Sequence, residues 1–392
     1  MRKSRTLAGV AVLASVTGIA HAQSSVTLYG VLDVPVEYVN HQAVRPPSID
    51  PVSGAVTKAP GGNKFSLETA GGLSGARWGI RGVEDLGGGT KALFVLESGF
   101  GVDDGKMQQG GRLFGRQAMV GIQDTRFGQL SLGRQYTSLF DTMANFSPSR
   151  YASLFEPVAV QLGTAFREDN TVKYAGVFGA LTATAHYSFG VGVPALGLTP
   201  LPTGGAGETP GHAKNDSAYG AGLMYASGGL GIGAAYDQWN PAIASGSTGA
   251  ARKAALAASY IFGPLKLMGG YRWGQIRDTA GRTLVRDDYW WIGANYDATS
   301  TLSLNLAYYY DNLKTLKTSA TQPGINPANP WQVNVSVDYA FSRRTDVYMT
   351  VAYVRNSGLN FDSSAVSFVN GAFLAQGTNS QTGLAIGVRH KF

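Results

Sequence analysis

The sequence predicts an all-β chain that closes into a transmembrane antiparallel β-barrel of about 16 strands. Three observations predict the barrel. Extended segments alternate apolar and polar residues, the connections between them are by turns short and long, and no apolar run after the amino terminus reaches the length of a membrane-spanning helix.

The amino terminus is an address rather than a fold element. Arg2, Lys3 and Arg5 precede the apolar run Leu7 to Ile19, and Ala20-His21-Ala22 offers a small-residue cleavage site before Gln23. Residues 1–22 are therefore expected to be a cleaved signal peptide, and 23–392 a single domain. Removal of the leader takes three positive charges and no acid from the formal +7, leaving +4 over about 370 residues. With no Lys/Arg tract either, nucleic acid is not an expected partner. The absence of cysteine excludes disulfides, thiolate metal sites and a lipidated cysteine. Only 15% of residues are charged, while 53 are Gly, 19 Tyr and 17 Phe, which suits strands better than helices. In a bilayer such strands must close on themselves, because unsatisfied backbone groups cost several kcal/mol each.

Alternating segments run in order over 25–39, 73–86, 89–102, 112–125, 128–136, 170–177, 180–190, 215–227, 229–239, 252–262, 264–277, 286–298, 300–312, 331–341, 344–356 and 381–392. Leu265, Leu267, Tyr271 and Trp273 oppose Lys266 and Arg272. Leu302, Leu304, Leu306, Tyr308 and Tyr310 oppose Ser303, Asn305, Ala307 and Asp311, and Val333, Val335, Val337, Tyr339 and Phe341 oppose Asn334, Ser336, Asp338 and Ala340. Val347, Met349, Val351 and Tyr353 continue the series. The closing strand sets Leu384, Ile386, Val388, His390 and Phe392 against Gly383, Ala385, Gly387, Arg389 and Lys391. Aliphatics occupy mid-strand and aromatics the ends, the placement expected where rings sit at the two membrane interfaces. Short breaks at 86–88, 128, 262–264, 297–301 and 342–344 contrast with long ones at 40–72, 137–169, 191–214, 240–251, 313–330 and 357–380. Turns at one rim and loops at the other follow.

Six blocks then carry a family resemblance: Ser25-Val26-Thr27-Leu28-Tyr29-Gly30-Val31-Leu32-Asp33, Ala76 to Gly87, Leu96-Glu97-Ser98-Gly99-Phe100, Phe114-Gly115-Arg116-Gln117-Ala118, Leu132-Gly133-Arg134-Gln135-Tyr136 and Gly387 to Phe392. In this order and over the whole mature chain, they resemble the general diffusion porins of Gram-negative bacteria. The resemblance implies a homotrimer of sixteen-stranded barrels in the outer membrane, in contact with lipid and lipopolysaccharide, each barrel with its own pore narrowed by a long third loop folded into the lumen. It implies a water-filled channel for passive diffusion of small hydrophilic solutes and ions, and first strands that face sister subunits.

Arg77 and Arg81 share a side of the second strand opposite Trp78 and Ile80, so alternation alone turns them to the lumen. The parity of Arg116 is ambiguous, since Ala118, Val120 and Ile122 share its side; its lumenal place rests on the resemblance. Arg77, Arg116 and Arg167 match the family's basic cluster. Guanidiniums stay charged and cannot pair with one another, so they should face carboxylates or hold anions. Asp141 and Glu156, in the aromatic-rich segment Thr137 to Asp169, are the expected opposing acids if that loop folds inward. The family's Pro-Glu-Phe-Gly loop motif is missing; Phe155-Glu156-Pro157 stands in its place. Alternatively, the arginines pair with wall acids such as Glu84, Glu97 and Asp124. Arg134 shares a side with Leu130, Leu132 and Tyr136 and is read as a trimer-interface residue. Arginines outnumbering loop acids imply a weak anion preference.

Other chemistry has less support. An outer-membrane barrel enzyme of phospholipase or protease type needs a base beside a nucleophile, and His41, His186, His212 and His390 are the histidines left after the leader. Only His186 lies mid-strand with a hydroxyl nearby, and Ser188 is two residues away, too remote for a good hydrogen bond. An energy-coupled transporter is expected to carry a plug ahead of its first strand, for which Gln23 to Ser25 leaves no room. Asp103-Asp104 and Asp287-Asp288 lack the other ligands of a calcium loop and are expected to decorate solvent or lipid headgroups; no metal or cofactor is expected.

Overall fold

The computed structural model of the chain describes residues 25–50, 52–194, 204–243, 246–318, 322–363 and 371–392; the leader expected at 1–22 lies outside the described residues. The wall opens with β1 (Ser25–Ala43). A small hairpin, β2 (Ser48–Ile49) and β3 (Val56–Thr57), caps the first loop, and β4 (Gly61–Leu67) returns along β1. Next come β5 (Arg77–Gly87), β6 (Thr90–Gly99), β7 (Gln117–Asp124), β8 (Gly128–Tyr136), β9 (Arg167–Phe178) and β10 (Leu181–Ser188). They are followed by β11 (Ala218–Ser227), β12 (Leu230–Trp239), β13 (Ala250–Phe262), β14 (Leu265–Arg277) and β15 (Thr283–Asp297). β16 (Leu302–Leu316), β17 (Trp331–Ala340), β18 (Thr345–Arg355) and β19 (Ser380–Lys391) complete the series.

From β5 onward each strand pairs antiparallel with the next. β1 closes the ring, with β5 along Ser25 to Val31 and β19 along Val31 to Val39. Because β4 and β5 share one position beside β1, and β2 and β3 lie in a loop, the described strands make a closed barrel of 16 positions. The carboxyl end is stitched to the first strand, Gly30 N–H to Phe392 O and Phe392 N–H to Gly30 O, both 3.1 Å. Connections at that rim are short. Gly228 and Gly229, with φ of 57° and 85°, supply the left-handed pair that a two-residue hairpin turn requires.

Burial is inverted relative to a water-soluble core. Leu256, Ile292, Leu306, Val335 and Ile386 are exposed on the outer face, whereas Arg272, Gln332, Gln381 and Asp311 are buried inside. Outward Tyr260, Phe262, Tyr296, Tyr339, Phe341 and Phe392 cluster at the short-turn rim. A hydrocarbon outside and a polar interior account for both sets.

Three differences from the sequence reading have local causes. The stretch expected as loop over 40–72 contains β4, whose Phe65 and Leu67 point outward; Pro60-Gly61-Gly62 hides the alternation. The second strand is thus split, and residues 68–76 leave the wall between its two pieces. The fourth segment, expected from 112, pairs as β7 only from Gln117. Asp287 and Asp288 lie within β15, not at its start, and are buried in ion pairs with Arg272 (2.7 Å) and Arg286 (2.7 Å) rather than decorating solvent.

Candidate functional site

The connection from β8 to β9 folds into the barrel as α1 (Ser138–Met143), a 3₁₀ turn (Ala144–Phe146) and α2 (Val158–Leu162). Thr137 caps α1 by accepting from Phe140 N–H. The loop's apolar side chains Leu139, Met143, Phe146 and Phe155 are buried against the inner wall. They fit because that wall is paved with small residues: a Cβ on Gly233 would lie 2.4 Å from the Phe146 ring, and one on Gly383 2.5 Å from the Phe155 ring. Long wall side chains then satisfy the loop's backbone carbonyls. Trp291 donates to Phe146 O (2.8 Å), Asn295 to Pro148 O (2.8 Å), Gln332 to Phe155 O (2.7 Å), and Arg272 to Val160 O.

A second inward segment faces this loop. Buried Asp33 accepts from Gly72 N–H (3.0 Å), Ser74 N–H (2.7 Å) and the Tyr348 hydroxyl, holding residues 68–76 off the wall. Leu154 N–H donates across to Gly72 O (3.0 Å). Between the two segments and the β5–β9 wall lies a solvent-open cleft of about 420 Å³, lined by Arg77, Arg116, Arg150 and Arg167, by Tyr136, Phe140, Tyr151 and Phe166, and by Glu156.

The arginines are organised by a wall acid. Glu97 pairs with Arg116 (2.7 Å) and Arg77 (3.5 Å) and accepts from the Tyr29 hydroxyl (3.0 Å). Arg116 and Arg167 both donate to the Tyr136 hydroxyl, at 3.1 and 3.2 Å. Arg116 reaches the lumen because it precedes β7, while Val120 and Ile122 of that strand are exposed outside. Its parity was unreadable because it belongs to the strand's approach. Glu97 was visible as a candidate partner in the Leu96 to Phe100 block, but its choice of arginines depends on strand register.

The remaining expected residues lie apart from that cluster. Arg81 sits four residues beyond Arg77 on β5, over the Tyr29 ring at 5.4 Å from its centroid, and is outside the cleft lining. Asp141 also lies outside the lining and is paired with Lys173 of β9; burial raises its carboxyl above the ordinary range, against the pull of Lys173. Glu156 borders the cleft, yet its oxygens are occupied by the Ser147 hydroxyl, Ala152 N–H (3.0 Å) and the Tyr309 hydroxyl (3.4 Å). Burial pushes its pKa up to about 7, with those donors opposing the shift. Arg134 is held by Asp169 (2.7 Å) and Gly115 O (2.7 Å), away from the cleft. Glu84 is exposed, and Asp124 pairs with Arg126 at a turn.

His186 meets a different serine from the one its strand suggested. Ser138 Oγ lies 2.9 Å from His186 Nδ1, and Nε2 lies 3.2 Å from Glu168. This Ser–His–Glu chain resembles a nucleophile, its base and an orienting acid. All three are buried where the start of α1 meets the wall, and Ser138 N–H also donates to Nδ1 (3.1 Å), so the contact pins the loop to the wall.

Comparison with known proteins agrees with this geometry. A family model described as Gram-negative porin matches residues 9–359. An outer membrane porin protein of Bordetella pertussis is 29% identical over 99% of this chain and 100% of its own length. Outer membrane porin protein 32 of Delftia acidovorans is 28% identical, with 100% of both chains covered. The solved anion-selective porin from Comamonas acidovorans superposes with a TM-score of 0.71 at 25% identity, over 94% of this chain and 100% of that one.

Proposed function

The chain belongs to the Gram-negative porin family, and from that membership we propose that its outer-membrane channel passes small hydrophilic solutes and ions passively, with a weak preference for anions. The observation that carries the preference is a charge imbalance in the cleft. Four arginines line it against one lining carboxyl group, Glu156; Glu97 neutralises part of the arginine charge, and among the described residues no carboxylate lies within ion-pair distance of Arg150 or Arg167. Fixed positive charge beside a narrow wet gap lowers the barrier for anions and orients polar solutes. Arg77, Arg116 and Arg167 are the selectivity residues in this reading. Arg81 adds field nearer the short-turn rim, and Asp141 and Glu156 seat the loop that sets the gap. A likeness to a porin that is itself anion-selective supports the same sign.

The working unit is proposed to be a homotrimer, secreted with residues 1–22 removed. β1, β7 and β8 expose Val26, Leu28, Val120, Ile122, Leu130 and Leu132 without an exposed aromatic ring, as suits a face against a sister subunit. The ringed strands beyond β9 face lipid and, at the loop rim, lipopolysaccharide. Arg134 is read in this proposal as bordering the subunit face; within the subunit its guanidinium pairs with Asp169. Zero-current potentials across a salt gradient in planar bilayers test the selectivity. Chloride preference that weakens in Arg77→Ala is expected; cation preference unchanged by Arg77→Ala overturns it.

A further inference from the structure

We propose that the constriction favours solutes that join a carboxylate to a flat aromatic ring over aliphatic carboxylates of equal size. The inference rests on the anion-preferring pore above and names its preferred solute class. The rings of the inward loop fall into two sets. Phe146 and Phe155, 1% and 2% exposed, are consumed in seating the loop on the wall. Phe140, Tyr151 and Phe166 stay partly exposed and, with Tyr136 of β8, line the same cleft as the arginines.

This second set is ordered. Phe140 stacks on Tyr136 with centroids 3.9 Å apart and planes 14° from parallel, runs nearly parallel to Phe166 at 5.7 Å, and meets Tyr151 at 5.0 Å. Arg167 lies over both Tyr136 (4.8 Å) and Phe166 (4.7 Å). A guanidinium covered on its faces by rings keeps its donors in its own plane. Its only hydrogen bond among the described residues goes to the Tyr136 hydroxyl, and its buried Nε has no partner. Arg150 adds an exposed guanidinium from the loop side. An aliphatic carboxylate satisfies the charge and leaves the rings facing water. An aromatic one gives the fork a planar acceptor and the rings a π surface. Contacts of this size are weak enough for release, which conduction requires.

The test uses the channel purified from outer membranes and reconstituted in planar bilayers. Sodium benzoate or sodium cyclohexanecarboxylate, similar in size but different in planarity, is added to a chloride solution, and the apparent affinity is read from the fall in chloride current. Benzoate is expected to bind roughly two- to tenfold more tightly. The ratio should approach one in Phe140→Leu. Phe166→Leu repeats the test should Phe140→Leu fail to give heat-modifiable, conducting protein. Equal affinities in the unmodified channel, or no effect of either carboxylate, overturn the ring preference and leave the anion-preferring pore standing. Loss of chloride preference in the unmodified channel overturns both.

Discussion

The barrel wall and the loop inside it bury their apolar residues by opposite rules. The wall turns Ile292, Val335 and Ile386 out toward hydrocarbon and keeps Asp33, Gln332 and Arg272 inside, while the loop buries Leu139, Phe146 and Phe155 as a water-soluble domain would. The two meet on a surface that serves both: alanines and glycines on the wall receive the loop's rings, and wall amide, indole and guanidinium groups bond its carbonyls. Pore width and charge therefore depend on the loop's seat, whereas the barrel's existence does not.

The largest separation of the two regions should come from truncating an apolar residue in each. Phe155→Ala leaves a cavity between loop and wall and should weaken the seat by about 3–5 kcal/mol, read as faster proteolysis of the loop. Ile386→Ala on the outer face should cost about half as much or less, because lipid chains fill the gap. Equal losses would erase the distinction. Next in size is the pH dependence of Glu156. Its folded pKa, about 7, lies above its ordinary value of 4.5, so the stability it contributes is fully present below pH 4.5 and lost as pH rises through 7. The difference, up to about 3 kcal/mol, should appear as a loop more protease-sensitive at pH 8 than at pH 4.5, a contrast absent from Glu156→Gln. Gly233→Ala crowds the Phe146 ring and should cost about 2 kcal/mol and change single-channel conductance without loss of the barrel. The smallest effect belongs to Arg81→Ala, outside the cleft lining, which should move the zero-current potential less than Arg77→Ala or Arg116→Ala.

Wall and loop also differ in how far they could be read from sequence. The closing strand was legible residue by residue, since Ile386 and Val388 point out and Arg389 points in to Asp346 (3.0 Å), because alternation is a local rule. β4 was missed for want of the same signal near Pro60 and Gly61, and the inward detour at 68–76 depends on Asp33, far along the chain. In the site, Arg77 was readable from parity. Glu97 was one of three wall acids that could pair with it, but the choice among them depends on register, and Ser138 beside His186 was not readable because that contact depends on where the loop lands. Asp141 and Glu156 were picked out as loop acids, but nothing in their local sequence shows that Lys173 or Ser147 would occupy them.

Because the chain has no cysteine, single thiols can report which solvent each region meets. The most direct measurement compares Arg150→Cys, on the loop bordering the cleft, with Val335→Cys on the outer face, under a charged, membrane-impermeant thiol reagent during bilayer recording. Conductance should fall in three steps for Arg150→Cys and stay constant for Val335→Cys. Complete labelling of Arg150→Cys with unchanged conductance would contradict a lumen narrowed by this loop.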